Sequence, residues 1–300
     1  MQAAAGKILR ESSASVEQAR AETIRWASLV ALSIRNWFIS WTFFLPSFLI
    51  NIVGLVASAA IFYFMGQVVA KGAEQHIAEY HLSYGSYIIT GVMFTMVMDA
   101  TLGTYHEAFL RAYWTNQFDV YLQHPGGVSA LLTGEVIAKY GVAAINTVIY
   151  FLVAITLFRV PIHVNNLFDT FVVLVLSVLS LTGLGLMGAS TFSLMNAKRE
   201  ETNPVKLIVG FGVTVLSGVY FPPDVLPQWL QKIGWWLPQT HALRAARLCV
   251  SGNASLGSPS LGGDITFLML FAVFTLPIGV ILFAAGIKKA QTEGSLTRWS

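Results

Sequence analysis

The sequence predicts an all-α integral membrane protein with six transmembrane helices, an N-terminal amphipathic interfacial helix and a re-entrant helical segment between spans five and six. Of its 300 residues, 55% are hydrophobic and only 11% are charged, whereas soluble domains carry about a quarter charged residues. Six long stretches with almost no ionisable residue each approach the roughly 20 residues that a helix needs to cross a bilayer. Residues 1–300 are therefore interpreted as a single transmembrane domain.

The six spans are bounded by the ionisable residues on either side of each apolar run. They are predicted at about 38–66, 84–110, 137–159, 168–195, 204–222 and 265–287. Asp99 interrupts the second run, and the span is extended past it. The first run is long enough for a tilt or for a bend at Pro46. A cytoplasmic segment, 112–135, connects the second and third spans.

The segment before the first span has the pattern of an amphipathic helix over residues 14–36. At 100° per residue, Trp26, Val30 and Trp37 fall on one face, and Arg20 and Arg25 fall on the other. A basic amphipathic helix that leads into a span is expected to lie in the membrane interface. A solvated helix docked on another protein is the alternative.

The distribution of basic residues predicts the orientation of the chain. Thirteen of the 18 Lys and Arg residues fall on the side that holds the N-terminus, and five fall on the other side. Because cytoplasmic loops carry the excess of Lys and Arg, we expect a multi-pass protein of the cell membrane with both termini in the cytoplasm. Residues 222–250 then lie on the outer face.

The outer segment 222–250 is apolar, but prolines divide it into pieces too short to span a membrane. Pro222, Pro223 and Pro238 each interrupt a helical pattern. Non-helical backbone at membrane depth is tolerated only against protein or water. The tryptophans of the segment, Trp229, Trp235 and Trp236, suit the interfacial belt.

The motifs typical of enzymes are misplaced or incomplete in this sequence. Gly183-Leu-Gly185-Leu-Met-Gly188 has the spacing of a dinucleotide-binding loop, but it lies inside the fourth span, where small residues favour close helix packing. His106-Glu107 lacks the second histidine of a zinc site. The sequence also has no phosphate-binding loop. We expect no catalytic residue, no metal, no cofactor held by this chain and no nucleic-acid partner.

Asp99 is the strongest candidate for a functional polar residue inside a span. It lies roughly 22 Å from the start of the second span at 1.5 Å per residue. A carboxylate at that depth should face a bundle interior, a partner or a watery cavity. It is either a polar group in a transport pathway or a coupling element, or it is the acceptor of a structural hydrogen bond from Ser, Thr or Tyr on a neighbouring helix.

The run "LSGVYFPPDVLPQWLQKIGWWLPQTHALRAAR", Leu216 to Arg247, resembles the signature of type-2 ABC exporter permeases. In that family a fifth span ends in a Ser-Gly-x-x-Phe-Pro turn, and an LP-x-W-L helix and an LP-x-T-x-A-L-x-x-x-R segment follow. The matching residues are Ser217, Gly218, Phe221, Pro222, Leu226, Pro227, Trp229, Leu230, Leu237, Pro238, Thr240, Ala242, Leu243 and Arg247. The resemblance implies that short helices dip back into the outer leaflet and close the pathway from above.

The resemblance extends to the link between spans two and three, which is similar to the coupling segment of the family. The match consists of Leu122 and Pro125, whereas Thr115 to Asp119 replaces the usual Gly-Thr-Leu-Glu. An amphipathic helix can press into a groove of an ATPase subunit. The expected contact residues are Phe118, Asp119, Tyr121, Leu122, His124 and Pro125.

The family resemblance implies a half-transporter: two permease copies, or this chain with a paralogue, in membrane lipid with two ABC ATP-binding subunits that bind ATP and Mg. An amphiphilic substrate, such as a drug, a lipid or a lipid-linked glycan, would move outward from the cytoplasm or inner leaflet. The expected pathway residues are Phe94, Met98, Asp99, Val213, Ser217 and Phe221. An ATP-independent secondary carrier or channel is the main alternative, and an intramembrane enzyme that uses Asp99, His106 and Glu107 is another.

Overall fold

The computed structural model describes residues 22–39, 45–114, 126–162, 165–194 and 216–292, and helices dominate these ranges. The longer helices are α1 (22–39), α2 (Leu45–Ala73), α3 (Tyr84–Trp114), α4 (Gly127–Thr156), α5 (Leu167–Leu194), α6 (Gln228–Gly234), α7 (Pro238–Ser251) and α8 (Pro259–Thr292). Single 3-10 turns occupy Glu74–His76, Ala78–Tyr80 and Pro223–Val225.

Within the described ranges, five helices are long and apolar enough to cross a membrane: α2, α3, α4, α5 and α8. This confirms the prediction of an all-helical, multi-pass membrane protein. The predicted fifth span, 204–222, lies outside the described residues except for its last part, which begins at Leu216. The count of six spans therefore stays a prediction.

Helix α3 is the centre of the bundle. In its most apolar stretch 72% of the residues are buried, against 11% for α2 and 22% for α8. It contacts α2, α4, α5 and α7. Peripheral helices such as α2 and α8 instead present apolar side chains outward, as expected where the solvent is hydrocarbon.

The glycines of the predicted packing motif bring α5 close to two neighbours, so that prediction is confirmed. A Cβ atom at Gly183 would collide with the backbone of Thr275 on α8, and one at Gly279 would collide with Gly183. On another face of α5, a Cβ atom at Gly185 would lie 2.6 Å from the carbonyl oxygen of Thr101 on α3. Small residues thus allow the backbones of three spanning helices to approach closely.

The observed helix boundaries differ from the predicted spans where charged side chains find partners. Helix α4 begins at Gly127, whereas the third span is predicted from 137 and the connecting segment to 135. The helix continues through Glu135 because Arg111 on α3 pairs with that carboxylate at 3.4 Å. Helix α8 likewise begins at Pro259, before Asp264, whereas the sixth span is predicted from 265.

The start of the first span also differs from the prediction of 38–66. Helix α2 begins at Leu45, so Pro46 stands in its first turn. Proline is accepted there because the first backbone N–H groups of a helix have no intrahelical partner. Pro46 therefore initiates a helix, and the bend considered for this position is not needed.

Helix α1 coincides with the described part of the predicted 14–36 segment and packs on the bundle. The side chains of Val30 and Trp37 are buried, on the face that the sequence predicts. Trp26 Nε1 donates a hydrogen bond to Ser129 Oγ on α4 at 3.1 Å. Gly134 on α4 lies directly against Val30 and Ser33. The position of α1 relative to a membrane surface stays a prediction.

The two ends of the bundle have different structures. At one end, called here the terminal end, the middle of α1 and the ends of α3, α4 and α8 meet in a cluster of apolar side chains. This terminal cluster contains Leu29, Phe109, Leu131, Phe283 and Ile287. At the opposite end, called the signature end, residues 216–258 cover the first turns of α3, α5 and α8.

Candidate functional site

The candidate site consists of the turn at residues 217–221, called here the signature turn, and a polar cavity beside α3. Gly218 adopts a φ of 78°, a conformation that side chains with a Cβ atom rarely take. The Tyr87 hydroxyl donates to the Gly218 carbonyl at 2.8 Å. The Tyr84 hydroxyl donates to the Tyr220 carbonyl at 2.9 Å. The first turn of α3 thus fixes the backbone of the signature turn.

Arg247 of α7 completes this fixation from the other side. Its guanidinium donates to the carbonyl oxygens of Gly218 at 2.8 Å, Val219 at 3.0 Å and Tyr87 at 3.1 Å. Its Cζ atom also lies 3.6 Å from the centre of the Tyr87 ring. Gly91, one helical turn after Tyr87, leaves the space that the guanidinium occupies. We call these contacts the Arg247 clamp.

An ionic network attaches α7 to α8 and to the loop before α3. His241 Nδ1 lies 2.7 Å from Asp264 Oδ1, and His241 Nε2 lies 2.9 Å from the carbonyl oxygen of Trp235. Arg244 donates to Asp264 Oδ2 at 2.8 Å and also pairs with Glu79. Asp264 is buried, and such a carboxylate is tolerated because cationic and imidazole groups surround it.

The helices of the signature end carry the predicted interfacial tryptophans. Trp229 on α6 is 63% exposed, and Trp235 and Trp236, which follow that helix, are 46% and 77% exposed. Pro238 starts α7, most of whose residues are buried against α3, α5 and α8. Helices α6 and α7 are too short to span a bilayer, having 7 and 14 residues. Their re-entrant position in the membrane stays a prediction.

A polar cavity of about 270 Å³ lies between α3 and α4, nearer to the terminal end. Its polar lining residues are Asp99, Thr104, Glu107, Lys139 and Asn146. Lys139 forms an ion pair with Glu107 across the two helices. Charged side chains at membrane depth face a bundle interior or water. The lining of the cavity along α3 therefore runs from Asp99, at the middle of the helix, to Glu107, on its terminal half.

The sequence-predicted pathway residues do not share one surface. Phe94 and Met98 are buried within the chain, at 7% and 2% exposure, whereas Asp99 is exposed and lines the polar cavity. Ser217 is buried in the signature turn, and Phe221 is partly buried there. Val213 lies outside the described residues. The structure thus separates the predicted set into a core pair, a cavity residue and two turn residues.

All predicted coupling residues lie outside the described part of the chain: Phe118, Asp119, Tyr121, Leu122, His124 and Pro125. The structure does describe both flanks of this segment. Helix α3 ends at Trp114, and α4 begins at Gly127. The terminal cluster and the Arg111–Glu135 ion pair hold these two flanks together.

Sequence reasoning missed the partners of the signature turn on α3. Arg247 was recognised only as the last letter of a motif, although a cation in an apolar segment is itself a signal of a buried acceptor site. Tyr84, Tyr87 and Gly91 share one face of α3 at spacings of three and four residues, which was the available signal for a site on that face. Glu107 and Lys139 belong to different helices, and their pairing has no local sequence signal.

Comparison with known families places these features in context. The family model described as ABC-2 type transporter matches residues 25–250. The matched range begins within α1 and ends within α7, and it includes the polar cavity and the Arg247 clamp. No curated protein matches the chain.

Proposed function

The chain belongs to the ABC-2 type transporter family, and on that premise we propose that it is the membrane subunit of an ATP-driven exporter. Permeases of this family are transport components that work with ABC ATP-binding subunits. In the proposed complex, two permease copies, or this chain and a paralogue, join two ATP-binding subunits. These subunits bind ATP and Mg and perform the hydrolysis.

The observation that carries the proposal is the polar cavity on the terminal half of α3, whose lining includes Asp99, Glu107 and Lys139. With the terminal end in the cytoplasm, as the basic residues predict, this cavity would lie in the inner half of the membrane, where a substrate enters in the proposed mechanism. The signature turn and α7 cover the opposite end of α3 through the Arg247 clamp. A polar cavity in the inner half and a covered outer end together support an inward-facing state.

The side of α3 that carries Asp99 supports the presence of a second permease copy. Asp99 is exposed on the surface of the single chain, although its helix lies within the hydrocarbon region. A carboxylate facing lipid is costly, whereas one facing an aqueous cleft between two subunits is not. Two copies that face each other across this surface would enclose a substrate cleft with Asp99 on both sides.

The substrate class that fits this environment is an amphiphile. Met96, Ala100, Val142 and Ala143 line the same cavity as the charged groups. A molecule with an apolar body and a polar group can therefore contact both kinds of surface. We propose export of a drug, a lipid or a lipid-linked glycan from the cytoplasm or the inner leaflet.

Coupling to ATP is assigned to the segment between α3 and α4. A helix pressed into a groove of the ATPase would act directly on the last turn of α3, which the terminal cluster holds against α4 and α8. Closure of the two ATPases would then displace α3 and α4 together with the walls of the polar cavity. The expected contacts are Phe118 and Asp119.

The proposal is tested by co-purification in mild detergent with an ABC ATP-binding subunit of the same cell. We expect a stable complex whose ATP hydrolysis changes in Phe118→Ala and Asp119→Ala. Gln228→Ala is the matched control, because Gln228 is exposed at the signature end. Its hydrolysis rate should equal that of the unaltered complex.

The opposite results identify the alternatives. Solute flux without ATP in vesicles that contain only this chain would replace the exporter with a secondary carrier or channel. Loss of a chemical product in Asp99→Asn, with transport unaffected, would indicate an intramembrane enzyme. An ATPase complex that is indifferent to both coupling variants would refute the assigned contact segment.

A further inference from the structure

A second cavity, of about 250 Å³, lies on a different face of α3, between α4 and α5 near the signature end. Met93 and Phe94 of α3, Phe151 of α4 and Leu174 of α5 form its walls, and Val250 of α7 adds to its lining. Both α4 and α5 pack on α3, but in the described ranges they make few or no contacts with each other. The cavity is the gap that this arrangement leaves between consecutive helices.

The hydroxyl groups of the three threonines that line this cavity all donate hydrogen bonds to backbone carbonyls. Thr90 donates to the carbonyl oxygens of Ser86 and Tyr87 at 2.7 and 3.0 Å. Thr147 donates to the carbonyl oxygen of Ala143, and Thr170 donates to that of Asn166, each at 2.8 Å. With their hydroxyls bonded to backbone, these side chains present methyl groups. The cavity therefore selects for a ligand that is purely apolar where it is bound.

Along the membrane normal, the cavity extends over about one leaflet. Phe94 lies ten residues after Tyr84, where α3 begins, and this is roughly 15 Å along the helix. The hydrocarbon is about 30 Å thick, so the cavity ends near the bilayer midplane. Its mouth is open to lipid, because Val148 is 56% exposed and Leu167 is 72% exposed.

We propose that this cavity binds an acyl chain from the leaflet at the signature end. Side chains that face an empty space lose the dispersion contacts that a close-packed interior provides. In hydrocarbon solvent the available apolar ligand is a lipid chain, whose elongated form fits a gap running along three helices. The inference requires only that α3, α4 and α5 span the membrane, and it is independent of coupling to ATP.

The proposed site is separate from the polar cavity on the same helix. Phe94 lines the acyl-chain cavity, whereas Asp99 lines the polar one, and the two cavities share no lining residue. An acyl chain in this site therefore supports α3 beside the surface that meets substrate in the proposed mechanism. The chain could come from a bilayer phospholipid or from a single-chain amphiphile, which have this apolar chemistry in common.

The test is photolabelling of the full chain in phosphatidylcholine vesicles. A tracer phosphatidylcholine carries a diazirine in the middle of one acyl chain, and labelled residues are mapped by peptide mass spectrometry. The depth-matched references are Met269 and Leu270 on α8, which are 45% and 54% exposed and begin ten residues after Pro259. We expect several-fold more label on Met93, Phe94 and Leu174 than on these references.

Two variants provide the controls. Thr147→Phe fills the cavity, and Val148→Trp blocks its mouth from an exposed position, so the second variant stays informative if the first fails to fold. Each should reduce label in the cavity several-fold and leave label at Leu270 unchanged, whereas Leu270→Trp should leave label in the cavity unchanged. Cavity label no greater than at the references, or insensitive to Val148→Trp, would overturn the proposal.

A parallel labelling with a diazirine fatty acid distinguishes the two sources of the chain. Cavity label from phosphatidylcholine supports a bilayer lipid as the ligand. Cavity label from the fatty acid alone supports a single-chain amphiphile. The site itself is refuted if neither probe labels the cavity above the α8 references.

Discussion

Arg247 combines a full positive charge with almost complete burial, its exposure being 2%. Burying a cation is costly unless hydrogen bonds replace its hydration. Here three carbonyl oxygens and the face of Tyr87 take that role. Because two of these carbonyls belong to the signature turn, the requirement to satisfy one buried charge determines where that turn lies.

The Arg247 clamp predicts a large loss of stability in Arg247→Ala. The variant leaves the buried Val219 carbonyl without its side-chain donor and removes one of two side-chain donors from the Gly218 and Tyr87 carbonyls, so we expect a cost of about 3 kcal/mol. Thermal unfolding of the detergent-purified protein measures it as a lower midpoint. Lys232→Ala, which removes an exposed cation at the same end, should leave the midpoint unchanged. Equal midpoints for both variants would show that the clamp contributes nothing.

Asp99→Asn is expected to lower transport by about tenfold, the equivalent of roughly 1.4 kcal/mol. The amide keeps the size of the side chain but removes the charge that the polar cavity presents to a substrate. Uptake of a fluorescent amphiphile into inverted vesicles with ATP measures the effect. Asp224→Asn is the control, because Asp224 is exposed at the signature end. Unchanged transport in Asp99→Asn would assign Asp99 a structural hydrogen bond instead.

Cys249 is expected to be inert toward thiol reagents in the folded protein. It is buried on α7, and this burial, with a smaller contribution from the Asp169 carboxylate, raises the pKa of the thiol to about 11. At pH 7 only about one thiol in ten thousand is then the reactive thiolate. Labelling with N-ethylmaleimide should be negligible until detergent denaturation. Rapid labelling of the native protein would contradict this.

At the scale of helices, hydropathy predicted the helix boundaries well where they depend only on burial in the membrane. The second and fourth spans were expected from 84 and 168, and the helices begin at Tyr84 and Leu167. It failed where a charged residue has a distant partner. Glu135 and Asp264 marked boundaries in the sequence, yet the helices run through both because Arg111 and Arg244 pair with them. A linear pattern contains no information about such pairs.

The same limit applies to the candidate site. Asp99 was expected to face a bundle interior, a partner or a cavity, since its depth in an apolar span is visible in the sequence, and it lines the polar cavity; its role in a pathway stays a prediction. Phe94 and Met98 were placed with it as span-two positions of the pathway that the family resemblance implies, and both are buried within the single chain. On a helix, however, neighbouring residues point in different directions. Only tertiary packing decides which of these directions is buried.

Helix packing through Gly183 predicts that a larger residue separates α5 from α8. In Gly183→Leu the new side chain meets the Thr275 backbone, and overpacking of this kind typically costs about 1–3 kcal/mol. We expect a lower unfolding midpoint and reduced yield in gel filtration. Gly141→Leu introduces the same side chain on α4, where a Cβ atom meets nothing within 4 Å, and should be tolerated. Similar losses in both variants would argue against a specific glycine contact.

At the scale of the whole molecule, the predicted orientation places the signature end outside and both termini inside. Cys249→Ser gives a cysteine-free background, because the chain has one cysteine. In this background Gln228→Cys should react with an impermeant maleimide on intact cells. Glu22→Cys should react only in inverted vesicles. Both positions are exposed in the structure. The reverse pattern would invert the topology and turn the polar cavity toward the outside.

Helix α3 runs without a proline or a break over 31 residues, from Tyr84 to Trp114, a length of roughly 46 Å. One end is bonded to the signature turn, the middle carries Asp99, and the other end leads directly into the segment expected to meet an ATPase. A continuous helix of this kind resists bending and moves as a rigid element. A rotation of its last residues would therefore move the polar cavity at Asp99 and the signature turn together, because one helix connects them.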